Sequence, residues 1–311
     1  MTIDATSPAD ATDILSPEAV ARRRAAVRQS STATLRRRRL TGHVAKVACY
    51  VALAVALVPL VALATYTIAR GSEGLSVDLF TQLPVPQGIP GGGVSNAIVG
   101  TLIIVGLAAF MAIPVGLTVA LFLIERRGKL ATTVRFVADV MSGIPSIAIG
   151  VFAYALIVVP SGHYSGISGC FALAVLMVPI MVRADEMAMR TVPDDLWEAG
   201  LALGARPSRV ARSVVLRGAL PGIVTGNLLA VARAVGETAP LLFTAIGSTL
   251  LETNPFHPMS AMPLTIYADG TQPYPMLQTT AWATALVLLA FVLVLSIVAR
   301  SFAAYMPRHA R

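Results

Sequence analysis

Six apolar stretches alternate with polar connections along this chain, at 44–69, 97–124, 134–158, 166–184, 219–246 and 277–303. Each is close to the ~20 residues a helix needs to cross a bilayer. The pattern predicts an all-α polytopic membrane protein of about six transmembrane helices, with one membrane domain over 44–303. The third stretch is the least regular. It carries Asp139 and the run Ser142-Gly143-Ile144-Pro145-Ser146, so a kink or break is expected at Gly143 and Pro145, with a role in gating as one reading and an inert membrane proline as the other. Residues 1–43 are polar and read as a largely disordered basic tail, and 304–311 as a short C-terminal tail.

Composition agrees with the pattern. Apolar residues make up 56% of the chain and charged residues 13%, with mean hydropathy +0.74; soluble domains carry about 25% charged residues. The net charge of +8 does not mark a nucleic-acid binder, because the basic residues sit in particular connections. They crowd the tail (Arg22–Arg24, Arg28, Arg36–Arg39), the connection at 125–135, the connection at 185–218 and the C-terminus. The segments 71–96, 159–165 and 247–276 hold no Lys or Arg. By the positive-inside rule both termini and the basic connections are expected in the cytoplasm. A twin-arginine export signal is the competing reading of the tail, disfavoured by the long apolar stretch that follows it. Cys49 and Cys170 lie in apolar runs and form no disulfide framework. The four histidines show no metal-ligand spacing, and Gly91-Gly92-Gly93 lacks the Lys-Ser/Thr of a nucleotide loop. No metal site and no catalytic residue set is expected. The connection 247–276 is too rich in proline for a long helix; it reads as a cap on the outer mouth, a contact for an outer partner or a plain connector.

Candidate chemistry lies in two places. Arg233 and Glu237 fall within the fifth apolar stretch, four residues apart, which on one continuous helix puts them on one face. A charge at bilayer depth costs about 2.5–3.5 kcal/mol even on the lenient scale, so such residues face a bundle interior or a water-filled path. Arginine cannot escape by deprotonation, and its planar fork suits an oxyanion. A solute path and a purely structural bridge remain the two readings of the pair. Arg183, at the end of the fourth stretch, is either a positive-inside anchor or a charge on the inner mouth. The second place is the connection 185–218. Pro193, Asp194, Asp195 and Glu198 predict a helix start; Leu196, Ala199 and Leu203 form an apolar stripe; Gly204 ends the helix. A second, basic helix with Arg206 leads into the fifth stretch. A short exposed helix of this kind suits insertion into a partner's groove.

Glu198-Ala199-Gly200 followed by Gly204 resembles the EAA signature of ABC importer permeases, with Gly200 in place of the usual alanine and Leu216-Arg217 in place of the family's Leu-Pro. The run Ala232-Arg233-Ala234-Val235-Gly236-Glu237-Thr238-Ala239-Pro240-Leu241-Leu242 resembles the phosphate-specific (Pst) permeases, and its Ala-Pro-Leu-Leu continuation is similar to the PstA branch rather than the PstC branch. Val182–Glu186 and Ser142–Ser146 resemble two further stretches of that family. The resemblance covers about 95–250. It implies a type I importer fold and a non-catalytic permease subunit for inorganic phosphate in the cytoplasmic (inner) membrane. It implies as partners a second, PstC-like permease, two PstB-like ATPases that hold ATP and Mg, and an external PstS-like phosphate-binding protein. Arg233, Glu237, Thr238 and Arg183 would line the path. Asp195, Glu198, Ala199, Gly200, Gly204 and Arg206 would couple to the ATPase. A permease for sulfate or molybdate, and a membrane sensor or scaffold recruited through the tail, are the alternatives; a secondary transporter would leave the EAA-like segment without a purpose.

Overall fold

The computed structural model describes residues 17–305 apart from Gln87, Gly88, Pro90 and Arg127. Its helices are α1 (Pro17–Glu73), α2 (Val77–Thr81), α3 (Ser95–Glu125), α4 (Lys129–Ser142), α5 (Ser146–Ser161), α6 (Gly166–Arg190), α7 (Asp194–Ala202), α8 (Pro207–Val235), α9 (Ala239–Thr244), α10 (Met262–Gly270) and α11 (Pro275–Tyr305). Among the described residues the sole β element is an isolated parallel bridge, Ile246 to Met259. Residues up to Thr65 form one unit and Tyr66–Arg311 another. The tail differs from expectation. Residues 17–43 belong to α1; the stretch is rich in Ala and Arg, both strong helix formers, and has no proline after Pro17. The part of the predicted tail before Pro17 lies outside the described residues.

Helices α3, α6 and α8 pack together at the centre of the second unit. Ile104, Leu173, Met177 and Met181 are fully buried there. Small residues let the backbones approach, as membrane helix packing requires. A Cβ added at Gly116 would stand 2.8 Å from that of Met181; one at Gly222 would stand 2.8 Å from that of Ala188, and one at Gly226 2.7 Å from that of Ala184. Those α6–α8 pairs define an antiparallel register. Continued along both helices, it brings Arg233 level with Met177, near the middle of α6.

The two ends of the bundle differ in charge. At one end the segments free of Lys and Arg interlock: Asn96 Nδ2 donates to Ser248 O at 2.5 Å, Met262 N to Thr101 Oγ1 at 2.8 Å, and Gly166 N to His257 O at 2.9 Å. Both α3 and α6 begin there. At the basic end Arg135 of α4 donates to Leu123 O of α3 at 2.8 Å. Helices α4 and α5 are bent by 99° where they meet. Pro145 supplies no N–H and steers Ile144 out of the helical region, so the N–H groups of Gly143 and Ile144 turn back to Val140 O and Met141 O (3.0 and 3.2 Å) and close α4. The bent pair enters at the basic end and leaves at the other. It therefore counts as one crossing, and with the five long apolar helices gives six.

Two expected segments are corrected. The fifth stretch is not one helix over 219–246: α8 begins earlier, at Pro207, includes a π-turn at Ala211–Val215, and ends at Val235. Pro240 explains the stop, because its ring clashes with a helical carbonyl four residues earlier, at Gly236. The connection expected over 185–218 is correspondingly shorter, because α6 runs on to Arg190 and α8 absorbs the basic helix.

Candidate functional site

Arg233 closes α8, whereas Glu237 lies beyond it in the non-helical Gly236-Glu237-Thr238 break. The pair is thus joined across a helix end rather than along one helix face. Its Nε–Oε1 distance is 3.9 Å, and the side chains are 65% and 19% exposed. A bridge of this length is loose, and the Arg233 side chain is largely uncovered by the rest of the chain. The Arg233 guanidinium stays exposed, level with the middle of α6. Thr238 is the N-cap of α9 but makes no side-chain cap bond; its carbonyl accepts from Leu241 N and Leu242 N at 3.1 and 3.2 Å. Helix α9 packs on α5, where a Cβ at Gly150 would lie 2.7 Å from Pro240 Cα. The second segments of two interrupted spans therefore meet. Irregular backbone at membrane depth is tolerated only where protein buries it or water lines it.

Arg183 occupies a different place from the one expected of a free charge at an inner mouth. Its guanidinium grips Asp139 of α4 through two bonds, Nε to Oδ1 at 2.7 Å and Nη2 to Oδ2, and reaches Glu186 at 3.4 Å. Glu186, 3% exposed, also accepts from Arg135 at 2.7 Å and Arg190 at 2.8 Å. Three arginines and two carboxylates thus tie the first arm of the broken span to α6. The spacing of Arg183, Glu186 and Arg190 along one helix face carries part of this signal in the sequence; the partners on α4 carry none. Next to Glu186 in the chain, Asp185 is fully buried, beside the buried Asn227 of α8.

Helix α7 has no buried residue. Asp194 and Asp195 occupy its first turn, and Asp195, Glu198 and Ala199 face outward. Gly204 adopts φ +78°, the left-handed geometry that suits glycine at a helix C-terminus, and its N–H reaches Leu201 O at 2.9 Å. Gly200 faces α8: an added Cβ would sit 2.9 Å from Val210 Cγ2, which accounts for glycine where alanine is usual. Sequence reasoning missed Trp197, which packs against the cluster of Met189, Val215 and Ala219 and anchors α7 to the bundle. Arg206 caps the start of α8 and, with Arg209 and Arg212, lines an open cleft of about 690 Å³ beside α7. Gly143 and Pro145 are both exposed at the bend. Among the described residues no three His, Cys, Asp or Glu side chains are grouped to hold a metal.

Residues 112–309 match the family described as binding-protein-dependent transport system inner membrane component. Relatives named phosphate transport system permease protein PstA align at length. That of Yersinia pestis is 39% identical over 75% of this chain and 80% of its own. That of Haemophilus influenzae is 42% identical over 76% and 84%, and PstA 1 of Mycobacterium tuberculosis 37% identical over 85% and 87%. The chain belongs to the PstA branch of the binding-protein-dependent transport permeases. Its fold matches a chain of the MetNI methionine ABC transporter in an inward-facing form, with TM-score 0.59 and 24% identity over 69% of this chain and 96% of that one. The permease is thus a multi-pass inner-membrane protein with the type I importer fold.

Proposed function

We propose that this permease provides half of a transmembrane path for inorganic phosphate in an ATP-driven importer. The observation that carries the reading is the exposed guanidinium of Arg233, level with the middle of α6, on a span broken immediately after it, in a chain whose relatives are named for phosphate transport. A planar fork donates two parallel hydrogen bonds to phosphate oxygens. Glu237, only loosely engaged, offsets the charge when no anion is present, so that phosphate passes rather than being trapped. Thr238 adds a hydroxyl beside them. A second, PstC-like permease closes the other half of the path. The basic end faces the cytoplasm, and there α7 inserts into a PstB-like ATPase, one of two that bind ATP and Mg. Asp195, Glu198 and Arg206 make the polar contacts; Gly200 and Gly204 set the shape. Gly143 and Pro145 let the arms of the third span move as the path switches. Arg183 holds the inner end through Asp139 and Glu186. A PstS-like protein delivers phosphate from outside. This chain itself carries out no covalent chemistry.

The test is uptake by the reconstituted complex in sealed vesicles with ATP and binding protein. Radiolabelled phosphate should accumulate, and sulfate in tenfold excess should not compete. ATP-dependent sulfate uptake without phosphate uptake would overturn the substrate.

A further inference from the structure

At the end of the bundle opposite Arg135, a cavity of about 260 Å³ opens between the loop before α3 and the segment joining α10 to α11. Gly92, Thr249, Asp269, Gln272, Tyr274 and Thr280 are among its lining residues. Ligand pockets for whole small molecules run to about 300–1,000 Å³, so the space suits a single side chain. The carboxyl of Asp269 is half-buried and makes no ion pair or side-chain hydrogen bond among the described residues. Burial pushes it up to about 6, so at neutral pH the cavity holds an uncompensated negative charge. The other carboxylates at this end are Glu73, Asp78 and Glu252; Glu252 contacts His257 at 3.2 Å. No lysine or arginine occurs in 71–96, 159–165 or 247–276, and Arg70, the basic residue on the last turn of α1 at this end, lines a separate cleft with Glu73 and Gln278 and lies 5.7 Å over the Tyr66 ring.

We infer that this cavity receives a lysine or arginine side chain of the external phosphate-binding protein, which pairs with Asp269 when that protein docks. The inference rests on the proposed function and assigns a docking site to it. A basic group arriving here meets a carboxylate already stripped of part of its hydration, with Tyr274 and Gln272 beside it. Loops that carry carboxylates and no Lys or Arg of their own also favour a basic docking face from a distance.

The experiment uses the whole complex in vesicles and measures ATP hydrolysis against concentration of purified, phosphate-loaded binding protein. Asp269→Asn should raise the half-maximal concentration at least about tenfold, and Asp269→Lys further, since removing one partner of a desolvated pair costs docking strongly. Hydrolysis without binding protein and the yield of the complex should not change. Single Lys→Glu or Arg→Glu changes across the binding protein should include one that restores stimulation to the Asp269→Lys complex alone. Unchanged half-maximal concentrations in both Asp269 variants would overturn the inference. So would a variant complex that loses its second permease, because the cavity would then belong to the contact between permeases. Wild-type vesicles that take up no phosphate would instead defeat the functional reading, which separates the two failures.

Discussion

An exposed guanidinium with one carboxylate 3.9 Å away divides binding from stability. Arg233→Gln is expected to abolish most phosphate uptake while the complex assembles in normal yield. Arg233→Lys should keep part of the activity, because it keeps the charge and loses the fork. Glu237→Gln should leave substantial uptake. If the double variant recovered uptake that Arg233→Gln had lost, the pair would be structural and the path would lie elsewhere. At the inner end the expectation reverses. Glu186 is almost fully buried under three arginines, and a hydrogen bond to a charged group is worth about 1.5–3 kcal/mol. Glu186→Gln should therefore lower the melting temperature of the complex in detergent, whereas Arg233→Gln should not. The sequence makes Arg233 visible because a charge in an apolar run stands out. It hides the work of Arg183, because Asp139 lies 44 positions away and only the fold brings the two together.

Helix breaks and glycine contacts set the behaviour of the elements. Gly143 sits at the bend with ordinary φ −90°, and an added Cβ would come no nearer than 3.4 Å to anything, at Val140 O. Gly150 is pressed against Pro240. Gly143→Ala should assemble in normal yield, and Gly150→Ala should lose assembled complex on gel filtration. Normal yield in both would mean that α5 and α9 do not need their close contact. On α7, Gly204→Asp forces a non-glycine residue into left-handed geometry, which costs about 1 kcal/mol or more. Glu198→Lys reverses an exposed charge. Both should insert normally and weaken ATPase association, read by co-purification. Here the sequence announced the break at Pro145 but not the one at Pro240. Long apolar runs look continuous whether or not a proline one turn later withdraws the helix from Gly236. The basic connection likewise looked separate because its arginines masked a helix that continues straight into the span.

For the whole molecule, the positive-inside rule leads us to expect the basic connections on the cytoplasmic side, an orientation that six crossings fit. Impermeant thiol labelling of spheroplasts checks the assignment. With exposed Cys49 first replaced by serine, and Cys170 buried, a cysteine at Thr253 should label from outside and one at Leu203, 89% exposed, should not. The opposite pattern would invert the orientation and remove the case for α7 as the ATPase contact.

The exposure of Arg233 also bears on the lifetime of the subunit. A copy made without its partners presents the Arg233 guanidinium, only loosely offset by Glu237, to lipid, where a charge costs about 2.5–3.5 kcal/mol on the lenient scale. Membrane proteases recognise such destabilised segments, and small changes in the unfolded fraction alter abundance several-fold. Arg233 would then act as a mark of incomplete assembly, erased when a neighbouring subunit covers it and keeping the supply of this chain in step with that of its partners. In a pulse-chase of the chain expressed alone, Arg233→Leu should lengthen the half-life several-fold, yet leave that of the assembled complex unchanged. Equal half-lives for the two orphans would show that turnover reads some other feature.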